Sequence, residues 1–179
     1  MSKFKNFPTN KYEVIYADPP YDYGNMKGLT QGVFGHYETL TKKEICSVPV
    51  SDIKADNCVL FMWITCPWLM AAQEIMEAWG FKYKTVAFCW VKKTKHGKWA
   101  VNLGGWTMGN VELCLLGTFG RPKRIVKNIR QLVIEERTVH SRKPDDVRNR
   151  IVELMGDVPK IELFAREKSD GWDSWGNEI

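Results

Sequence analysis

The chain has 179 residues, a hydrophobic fraction of 44% and a formal net charge of +5 at neutral pH. This length suits one domain with a substantial core, so we expect residues 1–179 to form a single domain. No apolar run reaches the length of a membrane span, and the first ten residues lack the apolar core of a signal peptide. The composition therefore predicts a cytoplasmic protein without membrane contact.

Five cysteines are scattered along the chain without a CxxC pair, and the three histidines are far apart. Most of the cysteines lie in apolar stretches such as NCVLFMWI and VAFCWV. This pattern favours buried, reduced thiols over a metal site, and we expect no metal.

The first half of the chain contains two predicted strands and two predicted helices. Tyr12–Ala17 predicts a strand, and Thr41 with Glu44 at capping-box spacing predicts the start of a short helix. The apolar run Asn57–Thr65 predicts a strand covered on both faces. Residues 67–80 open with proline and close with glycine, and their apolar positions recur at helical spacing. They predict a helix whose Met and Trp residues lie in the core.

The second half continues the alternation of strands and helices. Strands are predicted over 84–93, 111–119, 131–136 and 160–166, and a Gly-rich basic loop fills 94–109. A helix begins after Pro144, with acids in its first turn, and ends before Gly156. The alternation predicts an α/β fold, a three-layer sandwich with a mostly parallel sheet.

The tetrapeptide DPPY follows the first predicted strand directly, where ligands bind in open α/β sheets. Asp18 is a poor strand residue, and Pro19 and Pro20 cannot donate a ladder hydrogen bond. An aryl amine is a poor nucleophile because its lone pair is delocalised into the ring. The Asp18 carboxylate and the Pro19 carbonyl can accept its hydrogens and free that lone pair, while Tyr21 stacks on the base. This pattern indicates methyl transfer to an exocyclic amino group, although the tetrapeptide alone also fits a simple turn.

Further binding residues are expected in the segments that follow the later strands. Glu178 can accept the hydroxyls of a nucleotide-like ligand, Leu163 and Phe164 can form an apolar slot, and Lys143 can hold a carboxylate.

Two basic stretches, VKKTKHGKW and RPKRIVKNIR, are either solvated surface or a phosphate-facing surface. Lysine and arginine with interleaved aromatic residues suit nucleic acid. As a hypothesis, we place both stretches beside the mouth that contains Asp18, where Lys93, Lys95 and Lys98 contact the substrate backbone.

Seven segments occur together in the order typical of one known family: YADPPY, GHYETLTKKEI, WVKK, NVELCLLGTFG, HSRKPDDV, KIELFAR and WGNE. From about Tyr12 to Ile179 the chain resembles the mRNA N6-adenosine methyltransferase-like family. The resemblance implies a Rossmann-like methyltransferase fold with permuted motif order and S-adenosylmethionine as methyl donor. It also implies a nucleic-acid substrate.

The resemblance assigns expected roles to individual residues. The implied catalytic residues are Asp18, Pro19, Pro20 and Tyr21. The implied donor-binding residues are Asp18, Lys143, Leu163, Phe164, Arg166, Asn177 and Glu178. Tyr37 and Glu112 are the implied substrate-pocket residues, and for Glu112 an ordinary strand-end glutamate is an equally good reading.

The chain departs from the family pattern at a few positions. It has Lys168 and Ser169 where histidine and asparagine are common, and Glu178 where glutamine is common. Tyr21 replaces the tryptophan of the eukaryotic enzymes and is usual in bacterial and phage members. This tyrosine favours DNA over RNA and an enzyme of a bacterial cell or phage-infected host.

Two alternatives remain at this point. One is an N6-adenosine methyltransferase acting on RNA. The other is a catalytically silent, nucleic-acid-binding partner subunit, which the intact DPPY motif and Lys143 disfavour. Target recognition is expected from loops 24–35 and 94–109, or from a homodimer or a second subunit.

Overall fold

A computed structural model of the protein describes residues 4–23, 39–101, 106–137 and 142–179. Its centre is a seven-stranded sheet, with lateral order β5-β3-β4-β2-β1-β6-β7. The strands are β1 (Tyr12–Ala17), β2 (Lys54–Ile64), β3 (Lys82–Lys93), β4 (Val111–Phe119), β5 (Leu132–Glu136), β6 (Lys160–Leu163) and β7 (Asp173–Trp175).

Strand β4 runs antiparallel to its neighbours β2 and β3, and the other pairings of this sheet are parallel. Because β4 reverses direction between them, β2 and β3 point the same way as β1 and β6. These four strands end at one edge of the sheet, which we call the carboxyl edge. The prediction of a mostly parallel sheet is confirmed.

Helices cover both faces of the sheet. They are α1 (Lys42–Cys46), α2 (Ala72–Ala78) and α3 (Asp145–Met155). One buried cluster joins α1 and α2 to the sheet, and a second cluster joins α3 to the opposite face. The three-layer α/β architecture is thereby confirmed, and it is that of a Rossmann-like methyltransferase.

Strand β2 shows why a continuous apolar run becomes a central strand. Leu60, Met62 and Ile64 belong to the cluster under α1 and α2. Val59, Phe61 and Trp63 belong to the cluster under α3. Successive strand residues point to opposite faces, so a strand buried on both faces needs apolar residues at every position.

The capping box predicted for α1 is present. The Glu44 backbone N–H donates to the Thr41 hydroxyl at 3.4 Å, and the Thr41 N–H donates to the Glu44 carboxylate at 2.9 Å. The side chain of each residue therefore satisfies an N–H that the first helical turn leaves unpaired.

The helix predicted over 67–80 is wrong in its first half. Cys66–Ala71 form a 3₁₀ helix, and only Ala72–Ala78 are α-helical. Met76 and Trp79 are buried as predicted, but Met70 is 92% exposed. A 3₁₀ helix has three residues per turn rather than 3.6, so an apolar stripe drawn at α spacing does not extend back through it.

All five cysteines are free thiols; Cys58 and Cys114 are buried, and Cys66 is exposed. Within the described residues, no helix is both long and apolar enough to cross a membrane.

Candidate active site

The candidate site lies at the carboxyl edge, where β1 and β6 end side by side. Ala17 pairs with Leu163 in the parallel ladder, so Asp18 leaves β1 next to the point where Phe164 leaves β6. Phe164 has φ = 61°, a conformation that side chains other than glycine rarely adopt. This turn sends the chain away from the sheet directly beside Asp18.

Four charged side chains of alternating sign meet at this edge. Lys143 Nζ lies 2.6 Å from Asp18 Oδ2 and 3.4 Å from Glu112 Oε2. The other oxygen of Glu112 accepts a short hydrogen bond from Lys92 Nζ. All four side chains are at most 22% exposed. Each buried charge has an opposite charge in contact, which buried ions require. We call these four residues the charge cluster.

The charge cluster shifts the pKa values of Lys143, Glu112 and Asp18. Burial opposes a charge on Lys143, but Asp18 and Glu112 outweigh burial and raise the pKa of Lys143. Burial favours neutral Glu112, but Lys143 and Lys92 outweigh it and lower the pKa of Glu112. Burial raises the pKa of Asp18, and the Lys143 charge opposes that rise. The pKa of Asp18 therefore lies above the ordinary value of a carboxyl group despite its contact with Lys143.

Trp63, near the end of β2, is buried and lies below the charge cluster. Its indole N–H donates to the Tyr16 hydroxyl at 2.6 Å, and its backbone carbonyl accepts from the Tyr21 hydroxyl at 2.6 Å. Lys143 Nζ lies 5.6 Å from the centre of the Trp63 ring. The arrangement joins β1, β2 and the DPPY turn beneath the charge cluster.

The Tyr21 side chain is buried against protein in this structure. Its ring centre lies 4.9 Å from that of Trp68, and its hydroxyl is bound to β2. The stacking role expected for Tyr21 therefore stays a prediction. Tyr23 lies on the same turn and donates from its hydroxyl to Thr65 Oγ1 at 2.9 Å.

Arg148 fixes α3, and with it Lys143, against the sheet. Its Nε lies 2.7 Å from Glu162 Oε2 on β6, and a second guanidinium nitrogen contacts Asp145 in the first turn of α3. The pair with Glu162 is buried and has two contacts, the geometry in which arginine is most specific. Lys143 immediately precedes this anchored turn.

Of the residues expected to bind the donor, Asp18 and Lys143 belong to the charge cluster, and the others lie at the end of β6 or beyond it. Arg166 Nε lies 3.7 Å from Glu178 Oε1, and both Asn177 and Glu178 are exposed. Gly176 allows the segment that carries Asn177 and Glu178 to pass close to Ala165, because a Cβ at position 176 would lie 2.0 Å from the Ala165 carbonyl oxygen. Leu163 is fully buried, and Phe164 packs edge-on against Trp175.

This set of hydrogen-bonding, charged and aromatic side chains fits S-adenosylmethionine. A lysine is available for the amino-acid carboxylate, acidic and amide side chains for the ribose hydroxyls, and an aromatic ring for the adenine. Of the expected substrate residues, Glu112 lies within the charge cluster, and Tyr37 lies outside the described residues.

Lys93, Lys95 and Lys98 lie in a hairpin that continues β3 beyond the carboxyl edge. Lys93 forms an antiparallel bridge with Trp99, and the Thr94 N–H donates to the Lys98 carbonyl at 2.8 Å. We call residues 93–99 the basic hairpin. The basic hairpin lies at the same edge of the sheet as Asp18, with β4 and β2 between β3 and β1; its contact with the substrate backbone stays a prediction.

The corresponding placement of RPKRIVKNIR is wrong for its first half. Strand β4 runs antiparallel and ends at the opposite edge, where Phe119 pairs with Cys58. The Arg121 N–H donates to Asn57 Oδ1, and the Ile125 N–H donates to the Leu154 carbonyl near the end of α3. The strand pattern does not reveal direction, so sequence reasoning assigned this segment to the wrong edge.

Sequence reasoning missed Lys92 and Trp63. Both follow from strand alternation once the ends of β3 and β2 are known. Lys92 shares a face with Trp90, which is opposite Glu112 in the ladder. The alternation of side chains was visible in the sequence, but identifying Lys92 as a partner of Glu112 required the pairing of β3 with β4.

Comparison with known proteins identifies the family. The MT-A70 family model matches residues 12–178. The chain belongs to the MT-A70 family. The Type II methyltransferase M.MunI from a Mycoplasma species is 39% identical over an alignment of 195 positions, which covers 98% of this chain and 81% of that protein.

Other MT-A70 relatives are longer than this chain. An N(6)-adenosine-methyltransferase MT-A70-like protein of Arabidopsis thaliana is 30% identical over 94% of the chain, but the chain covers only 24% of that protein. The human N(6)-adenine-specific methyltransferase METTL4 is 26% identical over 94% of the chain and 37% of its own length. The prediction of an N6-adenine methyltransferase is confirmed at the level of the MT-A70 family.

Proposed function

We propose that the protein transfers a methyl group from S-adenosylmethionine to the N6 amino group of adenine in DNA. The observation that carries the proposal is the contact of Asp18 with Lys143, and of Lys143 with Glu112, at the carboxyl edge of the sheet. Ligands of open α/β folds bind at this edge. Membership of the MT-A70 family supports methyl transfer as the chemistry that this cluster serves.

The DPPY turn presents two acceptors to an amino group. Asp18 supplies a carboxylate. The Pro19 carbonyl accepts the Tyr21 N–H at 2.9 Å and keeps a second lone pair for a substrate hydrogen. The turn is held from the other side, because the Leu40 N–H donates to the Pro20 carbonyl at 2.7 Å. Rigid acceptors of this kind orient the amino nitrogen, and orientation supplies much of the rate in such a transfer.

When bound, the donor supplies an electrophilic sulfonium methyl, so the amino nitrogen needs no strong base before attack. Lys143 would hold the donor carboxylate, and Asn177 and Glu178 would accept its ribose hydroxyls. After transfer the amino nitrogen carries an extra proton. Asp18 can accept it, because burial raises the pKa of this carboxyl.

Two observations support DNA over RNA as substrate. The chain covers 81% of a Type II methyltransferase at 39% identity but only 24% of the plant N(6)-adenosine-methyltransferase. Position 21 also carries tyrosine, as expected for bacterial and phage members. RNA is the second candidate, because the relatives named for adenosine match 94% of this chain.

The test is incubation with methyl-labelled S-adenosylmethionine and matched DNA and RNA pools, followed by nucleoside analysis. We expect label in N6-methyldeoxyadenosine. Label only in RNA adenosine would favour the second candidate, and label in cytosine would contradict both.

Asp18→Ala provides the residue-level test. Losing a positioned electrostatic group typically lowers the rate by about a hundredfold or more, so we expect methyl transfer to fall at least that far while the fold persists. Asp170→Asn, in an exposed turn, is the control. Activity of Asp18→Ala within a few-fold of wild type would remove Asp18 from the mechanism.

A further inference from the structure

The basic hairpin exposes an aromatic ring that the proposed reaction does not use. The Trp99 side chain is 56% exposed, although tryptophan is highly buried on average. Lys93 Nζ lies 5.2 Å from the centre of the Trp99 ring, and Lys95 and Lys98 are exposed in the same turn. The ring thus has one cation in contact and two more in the turn of the same hairpin.

The backbone holds Trp99 in place from both sides. The Ala100 N–H donates to the Lys92 carbonyl at 2.9 Å, and Ala100 itself is buried. The Arg137 N–H donates to the Lys93 carbonyl at 3.0 Å. The hairpin is therefore an extension of the sheet, and its exposed ring is supported by strand pairing.

The position of Trp99 is defined relative to the charge cluster. Glu112 pairs with Trp90, and Lys93, which pairs with Trp99, lies three residues further along β3. At about 3.3 Å per residue, Trp99 lies about 10 Å beyond the rung that carries Glu112. Alternation places Lys93 and Trp99 on the face of β3 opposite Lys92, so Trp99 does not belong to the charge cluster.

We propose that Trp99 is a stacking platform for a DNA base that flanks the target adenine on the same strand. This inference rests on the proposed function. An exposed ring in a lysine-rich hairpin is the combination that binds single-stranded nucleic acid, where the cations follow the phosphates and the ring stacks on a base. A strand whose target base has left the helix presents such an unstacked neighbour.

The test compares two probes of equal length and charge: an oligodeoxythymidylate and an abasic oligomer with the same phosphate backbone. Base stacking on one aromatic side chain changes affinity by roughly five- to hundredfold. We expect the wild-type protein to prefer the thymidylate oligomer by a factor in that range. We expect Trp99→Ala to lose this preference while binding the abasic oligomer as the wild type does.

Salt dependence separates stacking from charge. Stacking releases no counterion, so Trp99→Ala should leave the slope of log affinity against log salt unchanged. Trp99→Phe should retain most of the preference, and Trp99→Leu, which keeps apolar bulk without a ring, should lose it. The control is Tyr83→Ala, since Tyr83 is 47% exposed on β3 but lies towards the opposite edge of the sheet.

Thermal unfolding of each variant verifies the fold. A wild-type protein that binds both oligomers equally, or a Trp99→Ala variant that keeps the preference, overturns the inference. Neither binding measurement uses the methyl donor, so both measurements are independent of the methylation assay. Methylation of DNA without a base preference would reject the role of Trp99 alone. A base preference without adenine methylation would reject the proposed function and leave Trp99 as a base-binding residue without a target adenine beside it.

Discussion

At the scale of single residues, Lys143 has two possible tasks, and one substitution tests whether donor binding is among them. It neutralises Asp18 and Glu112 in this structure, and it is the cation proposed for the donor carboxylate. Lys143→Met should weaken S-adenosylmethionine binding by roughly ten- to hundredfold, because a charge-assisted hydrogen bond is worth about 1.5–3 kcal/mol.

Calorimetric titration of the donor measures this loss. Lys168→Met is the matched control, because Lys168 is exposed two residues after Arg166. If Lys143→Met binds the donor with an unchanged dissociation constant, Lys143 only balances the two carboxylates.

Lys92 contacts Glu112 from the side opposite Lys143. The pKa of Glu112 is lowered because Lys143 and Lys92 together outweigh burial. Lys92→Met removes one of these cations, so the pKa of Glu112 should rise. The ionised form would then be lost at a higher pH as the solution is acidified, and the acidic limb of the kcat/KM profile should move to higher pH.

Lys92→Arg keeps the charge and should restore the wild-type profile, and Lys82→Met at the start of β3 is the matched control. An acidic limb at the same pH in wild type and Lys92→Met would show that Glu112 need not be ionised for the reaction.

The residues of the site differ in how far sequence could predict them. Asp18 and Lys143 were predicted to serve one ligand site, and the structure brings them to 2.6 Å. The adjacent lysines at 92 and 93 look alike in sequence. The pairing of β3 with β4 shows that Lys92 faces Glu112, and the bridge within the basic hairpin shows that Lys93 faces Trp99. Such differences depend on strand partners that the local sequence does not encode.

At the scale of elements, a side-chain hydrogen bond links β1 and β7, which are not neighbours in the sheet. The Tyr12 hydroxyl, on β1, donates to Asp173 Oδ2, on β7, at 2.6 Å across the end of β6. Burial, the hydrogen bond and the Asp173 charge raise the pKa of Tyr12 to about 12. Folding therefore favours the neutral phenol.

The stability contribution of this link should be lost in alkali. A raised pKa in the folded state stabilises the fold fully below the ordinary tyrosine value of about 10 and loses that effect as pH rises towards 12. The shift corresponds to at most about 3 kcal/mol. The difference in unfolding free energy between wild type and Tyr12→Phe should shrink over this range.

Urea unfolding of both proteins at several pH values measures the difference, with Tyr83→Phe as the exposed control. A difference that stays constant from neutral pH into this range would show that Tyr12 contributes packing only.

Long apolar runs predicted their elements well. Strands β1 to β6 all occur where the sequence predicted them, within a few residues at their ends. Strand β7 was missed because Asp173, Ser174 and Trp175 are too few to show a period. The reversal of β4 was also missed, because alternation with period two reads the same in both directions.

At the scale of the whole molecule, the two basic stretches differ in position, and this difference can be tested by neutralising each of them. The basic hairpin lies at the carboxyl edge, and Arg121 and Ile125 lie at the opposite edge. Neutralising Lys93, Lys95 and Lys98 together should flatten the slope of log affinity against log salt by roughly two to three units if each lysine contacts a phosphate.

The control neutralises three exposed cations at the other edge: Arg121, Lys123 and Arg124. This variant has the same net charge as the lysine triple variant, and we expect it to keep the wild-type slope. Donor affinity should be unchanged in both variants, because the proposed donor-binding residues lie just after β1, just before α3, and at or after the end of β6. Equal slopes in the two triple variants would mean that the hairpin lysines are ordinary solvated surface.

The position of β1 between β2 and β6 has a consequence for how the protein is made. β1 is synthesised first, but its partner β6 begins only at Lys160. At about 5–20 residues per second, β1 waits roughly ten to thirty seconds for that partner on the ribosome. Contacts so distant in sequence also slow folding. Strand β6, Arg166 and Glu178 are synthesised long after Asp18, so a ribosome-bound chain has Asp18 long before it has the other residues proposed to bind the donor. Donor binding can therefore stabilise only the finished fold, not its early intermediates.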